Sequence, residues 1–462
     1  MPPAASAPRP PQPGAFGARV GLGAAAPALV AALSALAAAA LQPGAHGGAE
    51  PRPAAALAAR FARPSLVPSP ADNPPSAAKI ALGSRLFQER ELSATATIAC
   101  ASCHDPRLAF ADGERTGRGI TGRPLARHTP SLWNVAFSPL LFWDGRASSL
   151  EQQVRFPIEH PDEMGSSLAA AAERLRARPD YVRDFRLAFP EHPQPSPLGI
   201  ARALAAYERT LVSPPTRFDQ FIAGDASALS PSERNGLAIF LGKGRCGGCH
   251  TGVNFTDYNF YDIGLPGDDR GRGAIIGLGA ADHAFKTPSL RELAWTAPYM
   301  HDGSLATLED VVRHYERGIV PRPTLSGDLP RNLSLSDGER ANLVAFLETL
   351  SSEQPPQPSS EALLPAPPAP PIGAAVLTTS VSQVDKRFAP AYVRLGAGER
   401  LTVLNDDTRT HNVRIYDPRL DFNSGAQEPH QSVTITFPQP GSFEAFCGIH
   451  PSMRLRIDVV RR

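Results

Sequence analysis

The chain has 462 residues, of which 42% are hydrophobic and 20% charged, enough apolar side chain for packed cores and too much for wholesale disorder. At ~150 residues per domain this length corresponds to about two to four domains. A net charge of +1 gives no electrostatic basis for binding nucleic acid, and 49 prolines require some non-globular stretches.

Arg9 and Arg19 precede an uncharged apolar run from Val20 to Leu41, the pattern of a secretory leader, with small residues at Ala37 to Ala40 where cleavage would fall. An uncleaved anchor is the alternative, since about 20 apolar residues span a bilayer, although Pro27 and the excess of alanine weaken it as a permanent span. Both readings put the body of the chain outside the cytoplasm, in the periplasm. Residues 42–67, rich in Gly, Pro and Ala, read as a disordered lead-in. From Asp72 the pattern turns helical, with Ile80, Leu82, Leu86 and Phe87 as an apolar stripe. Leu204, Tyr207 and Leu211 predict a helix over Arg202 to Val212. Ser230-Pro231-Ser232-Glu233 is a helix start with a serine cap, a first-turn proline and a glutamate to close a capping box; Ser336 and Glu339 repeat the logic before Leu343, Phe346 and Leu347. Residues 351–372 contain eight prolines and read as an extended tether. Beyond it the period changes to two, and 399–404, 432–437 and 442–446 predict strands of an all-β module.

Four of the five cysteines form two C-x-x-C-H motifs, Cys100-Ala101-Ser102-Cys103-His104 and Cys246-Gly247-Gly248-Cys249-His250. Two thiols at that spacing can form thioethers to the vinyl groups of one haem, and the adjacent histidine then offers its imidazole to the iron. A four-thiolate zinc site would need the pairs folded together and leaves both histidines unexplained; a redox disulfide should sit beside a βαβ pattern, which is absent. The motifs therefore point to two covalently bound haem c groups.

The fifth cysteine lies in Cys447-Gly448-Ile449-His450-Pro451-Ser452-Met453. Thiolate, imidazole and thioether in one short loop, with His411 after an earlier strand, supply the donors of a type 1 copper site; His430 is the weaker choice of second histidine. With its C-x-x-H-x-x-M loop, this module resembles the cupredoxins, amicyanin-like members among them, which implies a Greek-key β-sandwich.

Ser93 to His104, Thr129-Pro130-Ser131-Leu132-Trp133-Asn134, Phe142-Trp143-Asp144-Gly145-Arg146 and Pro298-Tyr299-Met300-His301-Asp302-Gly303 resemble the bacterial di-haem cytochrome c peroxidase and MauG family over about residues 70–350. The resemblance implies a mainly α body of two c-type cytochrome domains, at 68–228 (peroxidatic) and 229–350 (electron transfer), after a leader at 1–41. A linker at 351–373 and the cupredoxin domain at 374–462 follow. It implies His104 as proximal ligand of the peroxide-reactive haem and places Gln153, Pro157 and Glu163 in its distal pocket, with Trp143 as conduit between the haems. A sheltered carboxylate at Glu163 would shuttle the proton that splitting peroxide requires. Gln153 would orient the peroxide, and Pro157 would line the pocket without a competing donor. Many peroxidases of the family have a histidine on the loop after the first haem motif that ligates the resting iron. The loop from Asp105 to Pro124 has none, which implies a haem open to peroxide without reductive activation.

For the second haem the resemblance implies His250 on one side. The family's distal ligand lies fourteen residues after the His-Asp-Gly histidine, which from His301 is Tyr315, tyrosine as in MauG-like members; Met300 is the nearby thioether alternative. Thr296 and Pro298 match carbonyl donors for a calcium ion between the haems, but His128 stands where the family has asparagine, and imidazole is a poor calcium ligand. The expected activity is reduction of hydrogen peroxide with one-electron donors, relayed by the tethered copper module. The alternatives are MauG-like oxidation of a protein substrate through a high-valent, bis-ferryl-type di-haem state, and pure electron transfer. The expected partners are a small donor cytochrome or cupredoxin, or that protein substrate, with a homodimer implied by the resemblance.

Overall fold

The computed structural model describes residues 52–461 except Ser65, Arg331, residues 357–373 and Pro418. The leader or anchor run and most of the proline-rich segment lie outside the described residues. Among the described residues no helix is long and apolar enough to cross a membrane.

The first part of the chain is helical: α1 (Arg52–Phe61), α2 (Ala77–Phe87), α3 (Leu150–Gln153), α4 (Arg155–Glu159), α5 (Leu168–Arg176), α6 (Pro179–Ala188), α7 (Pro197–Glu208), α8 (Arg217–Ile222), α9 (Pro231–Leu241), α10 (Arg272–Ile276), α11 (Leu308–Arg313) and α12 (Asp337–Glu348). Long loops with short 3₁₀ turns join them. The predicted serine caps form: Ser230 and Ser336 each accept from the backbone N–H three residues on, and Glu233 and Glu339 close both capping boxes. Two helix crossings organise this region, α2 on α7 and α9 on α12. Each closes at a glycine, since a Cβ on Gly83 would overlap the Ala203 carbonyl and one on Gly236 the Asn342 carbonyl. One apolar core gathers Leu82, Leu86, Phe87, Phe110, Trp133 and Leu204; a second gathers Phe61, Phe218, Phe240, Phe255 and Phe346.

Two segments differ from the sequence reading. The lead-in read as disordered contains α1, because Phe61 is fully buried against Phe218 and Phe255 while Arg60 bonds Thr251 and the Gly247 carbonyl. The helix predicted over Arg202 to Val212 starts earlier, at a Ser196-Pro197 cap, and ends at Glu208.

A small antiparallel pair, β1 (Phe260–Tyr261) with β2 (Phe285–Lys286), was not foreseen. The C-terminal region is β-structure from β3 (Val376–Leu377) through β4 (Ser380–Val384), β5 (Arg387–Ala389), β6 (Tyr392–Gly396), β7 (Arg400–Asn405), β8 (Arg414–Asp417), β9 (Leu420–Asn423), β10 (Ser432–Thr436) and β11 (Gly441–Phe446) to β12 (Arg454–Val460). The strands form a four-stranded sheet, β10-β7-β4-β5, and a six-stranded sheet, β3-β6-β12-β11-β8-β9. Alternate side chains of both sheets (Val381, Leu401, Val403 and Ile435; Val393, Phe443, Leu455 and Ile457) share one core.

The β region is packed on the helical body, although residues 351–372 read as an extended tether. Ala281 belongs to the β core and Ile276 and Leu278 pack against it. Arg272, buried, donates from Nε to the Gly448 carbonyl (2.8 Å) and from Nη1 to the carbonyls of Asp144 (3.1 Å) and Gly145 (2.9 Å). Phe260 N–H donates to the Ile449 carbonyl, and Ser452 Oγ bonds Asn259 Oδ1 at 2.8 Å.

Candidate functional site

Each C-x-x-C-H motif folds as a 3₁₀ turn whose histidine N–H closes back on the first cysteine carbonyl at 2.9 Å. His104 Nδ1 donates to the Phe110 carbonyl and His250 Nδ1 to the Phe255 carbonyl, both at 2.8 Å. Both phenylalanines adopt left-handed backbone, φ 57° and 52°, which turns their carbonyls toward the imidazoles. With Nδ1 fixed this way, Nε2 of each ring is left for a metal. Burial lowers the pKa of both histidines, so the neutral ring that a metal requires is the resting form.

Both motifs line one continuous cavity of ≈ 1380 Å³. Burial pushes the thiols of Cys100, Cys246 and Cys249 up to about 12 and that of Cys103 to about 11, so none is poised as a thiolate. Nor do they cluster. Among the described residues, the one group of three or more His, Cys, Asp or Glu donors within metal-binding reach lies elsewhere, which removes the zinc reading. Trp133 Nε1 and Glu208 Oε2, on the same wall, have no hydrogen-bond partner within the chain. Paired thiols, oriented imidazoles and orphaned polar atoms around a large apolar cavity fit two covalently held haems.

Trp143, Gln153, Pro157 and Glu163 all line this cavity with His104. Glu163 is mostly buried, and burial raises its pKa, opposed by His160 and Arg146. The loop without a histidine comes close to it: Ile120 N–H donates to the Glu163 carbonyl at 2.8 Å, and a Cβ on Gly119 would overlap the Asp162 carbonyl. Trp143 donates from Nε1 to the His128 carbonyl (2.9 Å) and meets the His301 ring edge-on at 6.5 Å. Arg146, in the same motif, was given no role by the sequence reading. It lies over Phe142 at 3.5 Å, pairs with Asp144 and adds a cation to the Glu163 side of the cavity.

On the other side the cavity reaches His250, Tyr315, Met300, Thr296 and Pro298. Tyr315 stands in a short π-helical turn, His314–Gly318, a distortion common at functional sites, and burial pushes its phenol upward. His128 donates its Nδ1 to the Glu114 carbonyl at 3.0 Å, so its imidazole is already occupied as a strut between loops. An internal repeat was also legible and unused. Thr129-Pro130-Ser131-Leu132 recurs as Thr287-Pro288-Ser289-Leu290, with the Pro130 and Pro288 backbones beside His104 and His250.

The separate donor group is His411, Cys447 and His450, all buried. Cys447 Sγ lies 3.7 Å from His411 Nδ1 and 3.9 Å from His450 Nδ1, and the two nitrogens are 3.0 Å apart. Backbone N–H groups of Asn412 and His450 both point at the sulfur (3.4 Å), His411 Nε2 donates to Asp407 (3.1 Å), and Met453 is buried in the same loop. Burial holds both imidazoles neutral. Two nitrogens and a sulfur with oriented outer partners fit a copper ion. His430 is exposed and outside the group.

The family model described as di-haem cytochrome c peroxidase matches residues 77–227. The methylamine utilization protein MauG of Methylorubrum extorquens is 46% identical over 302 residues, covering 65% of this chain and 85% of that protein. The cytochrome c551 peroxidase of Pseudomonas aeruginosa is 34% identical over 284 residues, covering 59% of this chain and 79% of that protein. Among solved structures, a MauG-like protein associated with microbial copper homeostasis superimposes with a TM-score of 0.59 at 34% identity, over 63% of this chain and 95% of that one. These likenesses make the protein an oxidoreductase with two c-type haems. The chain belongs to the di-haem cytochrome c peroxidase/MauG family.

Proposed function

We propose that the protein is an exported, periplasmic di-haem peroxidase that reduces hydrogen peroxide to water with electrons passed on by its own C-terminal copper module. The observation that carries this reading is the position of the His411, Cys447 and His450 group, whose Cys447 and His450 lie in a loop packed directly on β1 beside the second haem motif. In this reading residues 374–462 are a Greek-key cupredoxin, 68–228 the peroxidatic haem domain and 229–350 the electron-transfer haem domain.

The net chemistry takes two electrons and two protons per peroxide and yields two waters. Bound haem supplies the redox chemistry, held by Cys100, Cys103 and His104 on the peroxide side and by Cys246, Cys249 and His250 on the other. Glu163 takes the proton from the near peroxide oxygen and returns it to the leaving oxygen; its burial keeps its proton affinity high enough for both halves of that task. Gln153 orients the peroxide, Pro157 lines the pocket without an N–H, and Arg146 balances the carboxylate when it is ionised. Trp143, edge-on to His301, lies on the route between the haems. Tyr315 would hold the second iron together with His250, with Met300 as the thioether alternative. A calcium ion at Thr296 and Pro298 would lack the side-chain oxygen that His128 replaces.

MauG-like oxidation of a protein substrate is the second reading, favoured by Tyr315 in the cavity wall. In the Cys447→Ser holoprotein the leading reading predicts loss of copper and of turnover with a small copper donor protein, with the haems still reacting with peroxide. Undiminished turnover with that donor contradicts it.

A further inference from the structure

Tyr261 lines the wall of the haem cavity and also meets the His411, Cys447 and His450 group. Its ring lies 6.2 Å from the His450 ring, tilted by 56°, and it lines the haem cavity together with Cys249, the second attachment point of the C-terminal haem. It is almost wholly buried, and it is held from three directions. Its hydroxyl donates to Asp257 Oδ2 (2.5 Å) and accepts from Lys386 Nζ (2.7 Å), and β1–β2 pairing sets Tyr261 opposite Phe285. Asp257 N–H donates to the Cys249 carbonyl at 2.9 Å, tying that side to the haem turn. On the other side Lys386 continues to Asp328 (2.8 Å), which pairs with Arg409; Arg409 reaches Asp407 (2.9 Å), the carboxylate that orients His411. One hydrogen-bonded chain therefore fixes a copper ligand, an aromatic ring and a haem-bearing cysteine in a single frame.

We propose that Tyr261 is the conduit through which electrons pass between the copper module and the C-terminal haem, along His450, the Tyr261 ring and hydroxyl and, through Asp257, the Cys249 backbone. The inference rests on the copper reading above. In turnover one electron leaves the cuprous centre, which becomes cupric, and one arrives at the haem iron, whose oxidation state falls by one; the phenol keeps its proton. The contact also fixes specificity. The loop presenting His450 is seated on β1, so in this conformation the imidazole faces Tyr261 and not an external protein.

The test uses the fully oxidised, full-length holoprotein. A radiolytic pulse places one electron on the haems, and bleaching of the cupric absorption follows its movement to copper, which uses the same path in reverse. The concentration-independent phase is expected to slow by an order of magnitude or more in Tyr261→Leu and several-fold in Tyr261→Phe, with the haem spectra and cupric paramagnetic resonance of both variants unchanged. Wild-type transfer in either variant overturns the proposal, and Tyr261→Phe, which keeps the ring, decides it if Tyr261→Leu does not fold. Absence of a cupric signal from the wild-type protein overturns the copper reading itself, before any transfer is measured.

Discussion

Glu163 is the residue on which the proposed proton transfer turns. Its carboxylate sits in a cavity wall with the Arg146 guanidinium and the His160 imidazole nearby, and burial raises its proton affinity. Glu163→Gln keeps the shape and removes the proposed proton shuttle, so steady-state peroxide reduction is expected to fall by about 10²–10⁴-fold with haem content unchanged. Glu208 behaves differently. Burial raises its pKa from 4.5 to about 8, and Oε2 has no partner. The folded state therefore holds a proton that the unfolded state releases between pH 4.5 and about 8, and stability declines as pH rises through that window. Glu208→Gln should raise the melting temperature at pH 8 and above, with the gain vanishing toward pH 4.5; an equal gain at both ends would contradict this. The place of Glu163 in the cavity wall was legible from its spacing after the Trp143 motif. Glu208 was not, because nothing in the sequence distinguishes a buried helix carboxylate from a solvated one. His411 could be chosen over His430 from strand order alone, and the reason is now physical: His411 is buried against Cys447 and Asp407, while His430 faces solvent.

At the scale of elements, the two haem motifs sit on similar scaffolds, a helix pair crossing at a glycine and a left-handed phenylalanine that orients the histidine. Gly236→Ala adds a methyl group against the Asn342 backbone, which cannot move without shifting α12. Overpacking of this kind costs about 1–3 kcal/mol, and a lowered denaturation midpoint with an unchanged slope would show it. Caps and apolar stripes made α2, α9 and α12 readable. α1 was hidden because its Gly/Pro/Ala-rich surroundings resemble linker, and only Phe61 finding Phe218 and Phe255 gives that segment a reason to fold. The β1–β2 pair, two residues per strand, carries no periodic signal at all, yet it holds Tyr261. The loop from Asp105 to Pro124 was legible by what it lacks, and the structure adds that Gly119 and Ile120 brace the backbone of Glu163.

For the whole molecule, the decisive difference is how the β region meets the helical body. A proline-rich connection suggested a tethered partner, since the sequence says nothing about surfaces that match only after folding. Arg272 joins the loop of Cys447 and His450 to the Trp143-Asp144-Gly145 turn, and Asp328 receives Lys386 and Arg409 from the β side. Although burial opposes it, the hydrogen bonds from Arg409 and Lys386 hold Asp328 down at about 2. A lowered carboxylate stabilises the docked form above its free pKa, about 3.9, and loses that contribution as pH falls toward 2. Small-angle scattering should therefore show the β region separating from the body in acid, and Asp328→Ala should move that separation to higher pH.

The most direct test of the account starts from the full-length protein poised with copper cuprous and both haems ferric, rapidly mixed with limiting hydrogen peroxide. The account predicts that the cupric signal appears as peroxide is consumed, two copper centres oxidised for each peroxide reduced. Peroxide consumed while the copper stays cuprous would contradict it.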